Sequence, residues 1–381
     1  MGETLSTADV REQNSLRLLR YVYESDGVSK QQIAQELKMS LPTVSQNLKL
    51  WEEQGMILRK GVYDSTGGRK ARVYQFAAAS KMAVGIAVQK EFFQVVVVDL
   101  YGRPLISFDE QTLFSCTDEY FKRIAEVTEG LLSQLHPEKG QVLGVSIAIQ
   151  GLVSRDGASL LFGKILECSG EKLLEKFESS IPYPCSMIHD TEASALAELW
   201  IQKDMKDAVL LYLNRHFGGA VVVNGKVYQG IELSSSVIEH MCLYPGGEKC
   251  YCGKKGCIEA YCSAYALQRN AGEKLRDFFI RLRAGDKQAA AVWSRYLHDL
   301  ALTINNIRML MDTEFVLCGY LLRYMLPSDM ELLEGMVQAE CPIGCERVRI
   351  RTSLYTDDSA AIGAGIYLTR RYMSNLCRRE T

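Results

Sequence analysis

His240, Cys250, Cys252 and Cys257 stand in the spacing His-x9-Cys-x-Cys-x4-Cys, inside the run HMCLYPGGEKCYCGKKGCIEAYC. One imidazole and three thiolates within eighteen residues can complete a closed tetrahedral shell around zinc. With no position left open, such an ion is structural rather than hydrolytic. Gly246, Gly247, Gly253 and Gly256 let the chain fold back around it. Cys242 and Cys262 are alternative ligands whose spacing fits the loop less well. Five of the twelve cysteines fall between 242 and 262, and where thiols stay reduced such a cluster reads as metal binding before disulfides. The scattered remainder read as small buried hydrophobes, and Cys341-x3-Cys345 as two packed thiols.

A second candidate is His189-Asp190, which follows the apolar-leaning Cys185–Ile188 and precedes the helical run Thr191–Trp200. A carboxylate at a strand end and helix start can accept a hydrogen bond from a ligand hydroxyl. It can equally cap the helix, and the two roles are compatible.

A third constellation suits DNA. Leu16, Leu18, Leu19, Val22 and Tyr23 recur at helical spacing, and Asp26-Gly27 ends that helix. Ser29 and Gln32 form the capping box of a second helix, whose Ile33, Ala34 and Leu37 face inward. Ser40 opens a third, with Pro42 in its first turn. Leu41, Val44, Leu48 and Trp51 are expected to face inward, leaving Thr43, Ser45, Gln46, Asn47 and Lys49 outward. Those short donors and acceptors with one cation suit base edges and phosphates in a major groove. Met56–Lys60 and Arg72–Phe76 alternate like the strands of a hairpin, and the tip between them carries Arg69 and Lys70. Arg69 is placed to reach a minor groove while Lys49, Lys60 and Lys70 hold phosphates. Helix, helix, recognition helix and wing, in that order, predict a winged helix-turn-helix over residues 1–80. One recognition helix reads only a half-site, so a homodimer on operator DNA is expected.

The elements behind these residues fit an ordinary folded chain. The 381 residues include 44 Lys and Arg against 46 Asp and Glu and are 47% hydrophobic, which excludes a disordered chain and implies two or three domains. Residues 1–76 hold 11 basic and 9 acidic side chains and the rest 33 and 37, a slightly basic reader on a slightly acidic body. No run of 18 apolar residues is present. Residues 1–20, with Glu3, Asp9 and Glu12, lack the apolar stretch of a secretory signal, so a cytoplasmic location is expected. From residue 81 the β-rich runs Met82–Val88, Gln94–Leu100, Val142–Ile149, Ala208–Leu213 and Ala220–Val223 are interspersed with helical stretches, and Asn224-Gly225 marks a hairpin. Such mixing predicts an α/β fold of two lobes.

The motif His-x9-CxCGxxGCxE resembles the signature of the ROK family, which comprises repressors, open reading frames and sugar kinases. The resemblance covers nearly the whole chain, including the winged helix of the repressor branch. It implies an actin-like, hexokinase-like ATPase fold that holds ligand between its lobes. The first lobe would be residues 81–190 completed by 358–381, with a final helix returning to it, and the second 191–357 with the zinc loop. It implies zinc on His240, Cys250, Cys252 and Cys257, and sugar contacts from Asp190, Glu259, His240 and His189. Asp190 matches the general base of the kinases' Asn-Asp-x7-Glu motif, Glu198 keeps the later acid, and His189 replaces the Asn.

Departures from the kinases fall on every phosphate contact. Their Asp-x-Gly-Gly-Thr loop is here Gly85-Ile86-Ala87-Val88-Gln89-Lys90-Glu91-Phe92-Phe93, where Glu91 and Phe92 oppose phosphates by charge and bulk. Their Gly-Thr-Gly-x-Gly-x-Gly loop is Asn214-Arg215-His216-Phe217-Gly218-Gly219-Ala220, and the glycine pair near the adenosine is Cys318-Gly319-Tyr320. Val237 occupies the place of a sugar-binding glutamate, for which Glu239 is the nearest substitute. No catalytic residue is therefore expected. The implied function is a sugar-responsive repressor of carbohydrate uptake or catabolism genes. The alternatives are an ATP-dependent sugar kinase with an appended DNA-binding domain, and a regulator that answers a protein partner instead of a sugar.

Overall fold

The computed structural model describes residues 7–62, 72–231, 237–341, 348–355 and 359–378. Helix α1 (Thr7–Glu24) ends before Gly27, which takes φ 87°, and a short β1 (Val28–Ser29) follows. Ser29 caps α2 (Lys30–Leu37) reciprocally with Gln32: Ser29 Oγ accepts the Gln32 N–H at 3.3 Å and the Gln32 Oε1 accepts the Ser29 N–H at 2.8 Å. Ser40 Oγ accepts the Thr43 N–H at 3.3 Å to open α3 (Leu41–Glu53). Strands β2 (Ile57–Val62) and β3 (Arg72–Phe76) pair antiparallel, with β1 on the far edge of β3. The winged helix-turn-helix is therefore present in the order the sequence predicts.

Two residues of α3 depart from expectation. Leu41 is 50% exposed and Asn47 only 9% exposed. Val44, Asn47, Leu48 and Trp51 form the i, i+3, i+4, i+7 stripe that the helix buries. Asn47 falls in the middle of that stripe and lines a crevice with Arg11 and Ser15 of α1. Leu41, in the first turn, precedes the packed part of the helix.

Two five-stranded sheets follow, and they repeat one topology. In the first, β4 (Met82–Val88), β5 (Phe92–Asp99) and β6 (Pro104–Gln111) make an antiparallel meander. Helices α4 (Asp118–Leu135) and α5 (Leu173–Ser180), with a small hairpin of β8 (Leu152–Val153) and β9 (Leu160–Phe162), accompany the parallel additions β7 (Val142–Ile149) and β10 (Cys185–His189) on the other flank of β4. The order is β10-β7-β4-β5-β6. After α6 (Asp190–Ile201), the meander of β11 (Ala208–Leu213), β12 (Phe217–Val223) and β13 (Lys226–Val227) is extended past β11 by the parallel β14 (Glu314–Cys318) and β15 (Ile350–Thr352), giving β13-β12-β11-β14-β15. Asn224 and Gly225, both at positive φ, turn the β12–β13 hairpin. Between β13 and β14 lie α7 (Glu259–Cys262), α8 (Ala264–Ala271), α9 (Leu275–Arg283) and α10 (Lys287–Arg308), and α11 (Pro327–Ala339) precedes β15. Helices α8 to α11 bury one face of the second sheet. Strands β4 and β5 are buried on both faces, which is why they read as unbroken apolar runs rather than alternating ones.

The last helix, α12 (Ser359–Arg378), returns to the first sheet, packing on β4, β5 and β7 and across α6. Helix α6 lies between the sheets: Ala193 and Ala197 join the core of the first sheet and α12, while Ala195 joins that of the second. The winged helix sits on the far end of this pair. Tyr23 of α1 stacks on Tyr101 with ring centroids 4.8 Å apart, and the Tyr101 hydroxyl donates to the Tyr23 carbonyl at 2.9 Å. Trp200, near the end of α6, donates its indole N–H to the Tyr101 carbonyl at 2.7 Å. Leu100 is buried in the winged-helix core, where Tyr372 and Leu376 of α12 also pack.

A methyl group at Gly363 of α12 would lie 1.7 Å from the Ala193 carbonyl oxygen, a backbone atom that no rotamer change can move. Gly363→Ala is therefore expected to lower stability by at least ~1–3 kcal/mol, read as a shift in denaturant midpoint. Gly335→Ala in α11, where a methyl meets nothing within 4 Å, is the control and should be neutral or stabilising by about 0.5–1 kcal/mol.

Candidate functional site

Strand β10 and helix α6 deliver His189 and Asp190 to the cleft between the sheets. Asp190 is the first residue of α6, where the helix dipole favours a negative group, and its Oδ1 accepts the Thr191 N–H at 2.9 Å. His189 Nε2 lies 3.2 Å from the same oxygen and its Nδ1 3.1 Å from Thr191 Oγ1. Both side chains line a cavity of about 50 Å³ with Gln150, His216, Glu239 and Tyr251. Burial raises the Asp190 carboxyl above its ordinary value, opposed by His189. Burial, reinforced by Glu259 and Asp190, pushes the Glu239 carboxyl up to about 8. Carboxyl groups short of partners in a closed cleft gain from hydroxyl donors.

Glu259, implied as a sugar acceptor, is not among the residues lining that cavity. It opens α7, is 4% exposed, and accepts the Phe217 N–H at 2.6 Å, while its other oxygen lies 2.7 Å from His216 Nδ1. Glu259 thus fixes the β11–β12 turn, and His216 is the group that turn presents to a ligand. Val237 lines the cavity at the place of the kinases' glutamate, and Glu239 lines it from two residues further on. Tyr212, Tyr251 and Lys164 also line the cavity, without any spacing that singles them out beforehand.

His240, Cys250, Cys252 and Cys257 come together as one cluster beside the cleft, their donor atoms all within 4.8 Å of one another. Cys250 Sγ is 3.6 Å from His240 Nδ1, and Cys252 Sγ is 3.7 Å from Cys257 Sγ. A tetrahedral ion with bonds of about 2.3 Å to sulfur and about 2.05 Å to nitrogen has edges of about 3.8 Å (S–S) and about 3.6 Å (S–N). The cluster therefore fits a metal ion. Cys242 is exposed and Cys262 is buried with its Sγ 3.5 Å from Thr303 Oγ1, so neither joins the cluster. Cys345 lies outside the described residues. His240 does not line the cavity, and its Nε2 is buried without a hydrogen-bond partner among the described residues. Lys164, beyond β9, donates to the Cys252 carbonyl at 2.9 Å and ties the cluster to the first sheet's side of the cleft.

Past Asp190 the cleft widens into a second cavity of about 360 Å³. Arg215, in the β11–β12 turn, lines it and pairs at 3.0 Å with Glu91 of the β4–β5 turn. Asn214 Oδ1 accepts the Tyr320 N–H at 2.9 Å, so this side chain occupies backbone donors of its own neighbourhood.

On the winged helix, Gln46 and Lys49 are exposed and Thr43 and Ser45 half-buried. Thr43 Oγ1 shares a hydrogen bond with Ser40 at 2.8 Å, and Ser45 Oγ accepts from Lys30 Nζ at 3.2 Å, which adds a cation to this face. Arg69 and Lys70 lie outside the described residues. No described helix is long and apolar enough to cross a membrane.

The sequence profile of the ROK family matches residues 84–371 and that of the MarR family residues 12–64. The chain is 24% identical over 266 residues to the DNA-binding transcriptional dual regulator NagC of Escherichia coli strain K12, a match covering 68% of this chain and 64% of that protein, a little under two thirds of its length. Its fold is similar to that of a crystallised ROK family transcriptional regulator, a homologue of the E. coli MLC protein, with a TM-score of 0.74 at 18% identity, covering 98% of this chain and 99% of that one. It also shares the fold of a ROK family glucokinase from Streptomyces griseus in complex with glucose and AMPPNP, with a TM-score of 0.66 at 20% identity, covering 76% of this chain and 99% of the other.

Proposed function

The chain belongs to the ROK family, and from that premise we propose that it is a transcription regulator, a repressor whose winged helix binds operator DNA as a homodimer and whose cleft binds a sugar or sugar derivative. The observation that carries this reading is the course of α6. Its first residue, Asp190, faces the cleft, and near its end Trp200 holds the carbonyl of Tyr101, whose ring stacks on Tyr23 of α1 in the winged helix. A ligand that prefers one cleft geometry acts through this helix on the placement of the DNA reader, to the extent of its differential affinity for the two arrangements. Thr43, Ser45, Gln46, Lys49 and the wing residues Arg69 and Lys70 contact DNA in this reading. Asn47 supports the helix from inside.

Asp190 and His189 contact the sugar directly, with His216 and Glu239 beside them, and Glu259 and His240 act from behind. Zinc is the ion that a closed set of one imidazole and three thiolates suits. It would hold the loop of Cys250–Cys257 against Lys164 and fix Tyr251 at the cavity wall. Kinase chemistry is lost in this reading: Glu91 sets a negative charge beside Arg215 where a polyphosphate would pass, and neither turn offers the glycine-rich N–H cradle. The retained Asp190 favours the alternative of a sugar kinase, so turnover is assayed alongside.

With DNA selected from a random pool, Lys49→Ala is expected to weaken binding roughly uniformly across sequences and to lower the salt slope by about 1. Unchanged salt dependence in fluorescence anisotropy would remove Lys49 from the interface. A sugar from a screened panel should alter that binding, and Asp190→Asn should abolish the response while leaving DNA affinity intact. ATP-dependent phosphorylation of any sugar that disappears in Asp190→Asn would overturn the regulator-only reading. Protein purified without chelator is expected to carry about one zinc per chain, and Cys252→Ser to lose it with a lowered melting temperature. Elemental analysis that finds no metal in the unmodified protein would refute the zinc site.

A further inference from the structure

The two cleft cavities adjoin. Gln89, Asp190, Thr191, Tyr212 and Asn214 line both, so a group held at Asp190 has open space on either side of it. The proportions are unequal. The side carrying His216 and Glu239 offers about 50 Å³, and the far side about 360 Å³. At 10–15 Å³ for each water position, the smaller side holds about four waters, so a ligand anchored at Asp190 that is longer than one ring extends into the larger one.

We propose that the larger cavity receives a second sugar ring, so that the effector is a neutral disaccharide or longer oligosaccharide rather than a monosaccharide or a sugar phosphate. This rests on the sugar-binding reading given above and names the class of sugar. The lining of the larger cavity is that of a carbohydrate site. Phe92 and Tyr320 offer aromatic faces, and Gln94, Gln111 and Ser194 offer amide and hydroxyl groups. Its two cations are already engaged: Arg215 pairs with Glu91 at 3.0 Å, and the Arg323 guanidinium lies over the Tyr320 ring at 4.7 Å. Asp109 adds a further negative charge. An anionic substituent would meet that carboxylate and have to displace Glu91 from Arg215, whereas a neutral ring meets neither cost.

Tyr212 marks the junction. The residue is 2% exposed, forms a wall of both cavities, and its hydroxyl has no hydrogen-bond partner among the described residues. A buried phenol without a partner costs free energy unless a ligand supplies one. The hydroxyl is closed to solvent in this arrangement, so a ligand that spans both cavities reaches it once the wall adjusts around the ligand.

The test is calorimetric titration of the full-length protein with free hexoses, pentoses and amino sugars, with disaccharides built from them, and with their phosphate esters. At least one disaccharide is expected to bind about tenfold or more tightly than either of its component sugars. Phe92→Ala should erase that difference while leaving monosaccharide binding unchanged. Tyr212→Phe should weaken the disaccharide by about tenfold without lowering the melting temperature, since it removes only an unpartnered hydroxyl. A monosaccharide that binds as tightly as every disaccharide containing it overturns the proposal and leaves the sugar-sensing reading standing. A phosphate ester that binds tightest, with the loss falling on Arg215→Ala or Arg323→Ala, overturns it as well. Failure of every carbohydrate to bind removes both this proposal and the sugar-sensing reading beneath it.

Discussion

Backbone meets backbone where α12 crosses α6 and β4. Gly363 stands against the Ala193 carbonyl, and Gly85 against the Ala361 carbonyl, where an added Cβ would fall at 1.7 and 1.8 Å. Such contact lets two helices and a strand cross without intervening side chains, and the alanines around it, Ala193, Ala197, Ala361 and Ala364, are buried in one cluster. Both helices are anchored at the cleft by their first residues, Asp190 for α6 and Ser359 for α12, the latter bonded to Ser194 Oγ at 3.1 Å. The far end of α12 packs in the winged-helix core, and that of α6 reaches it through Trp200 and Tyr101. A packed crossing of this kind moves as a unit, because interiors at crystal density yield by discrete rearrangement rather than by smooth compression.

Much of this was legible in the sequence, and the part that was not has a physical cause. The caps at Ser29 and Ser40, the strands 82–88, 142–149 and 208–213, and the hairpin at Asn224-Gly225 follow from local chemistry, and the structure has them where they are expected. The cluster of His240 with three cysteines was legible for the same reason, since its members lie close along the chain. Asn47 reads as an outward residue by its polar type, whereas helical phase puts it inside. The motif points Glu259 to the ligand, and its bond to His216 depends on a turn 43 residues away, which no local pattern encodes. Tyr212 was hidden for a similar reason. In a strand buried on both faces it reads as one more large hydrophobe.

Several contacts join the two sides of the cleft near its surface. Glu91–Arg215 joins two turns with the arginine 61% exposed, Lys164 reaches the Cys252 carbonyl and Arg155 the Ile231 carbonyl from exposed positions, and Phe162 meets His240 edge-on. Exposed pairs of this kind contribute on the order of 0–1 kcal/mol. A ligand that binds one cleft geometry tenfold better than the other shifts their balance by about 1.4 kcal/mol, which is comparable with any one of these exposed contacts. The crossing of α6 and α12, in contrast, is buried and cannot part without opening the core. In the proposed reading, closure of the cleft therefore brings the second sheet and its His/Cys cluster toward the first and pivots on this helix pair, whose far end meets the winged helix.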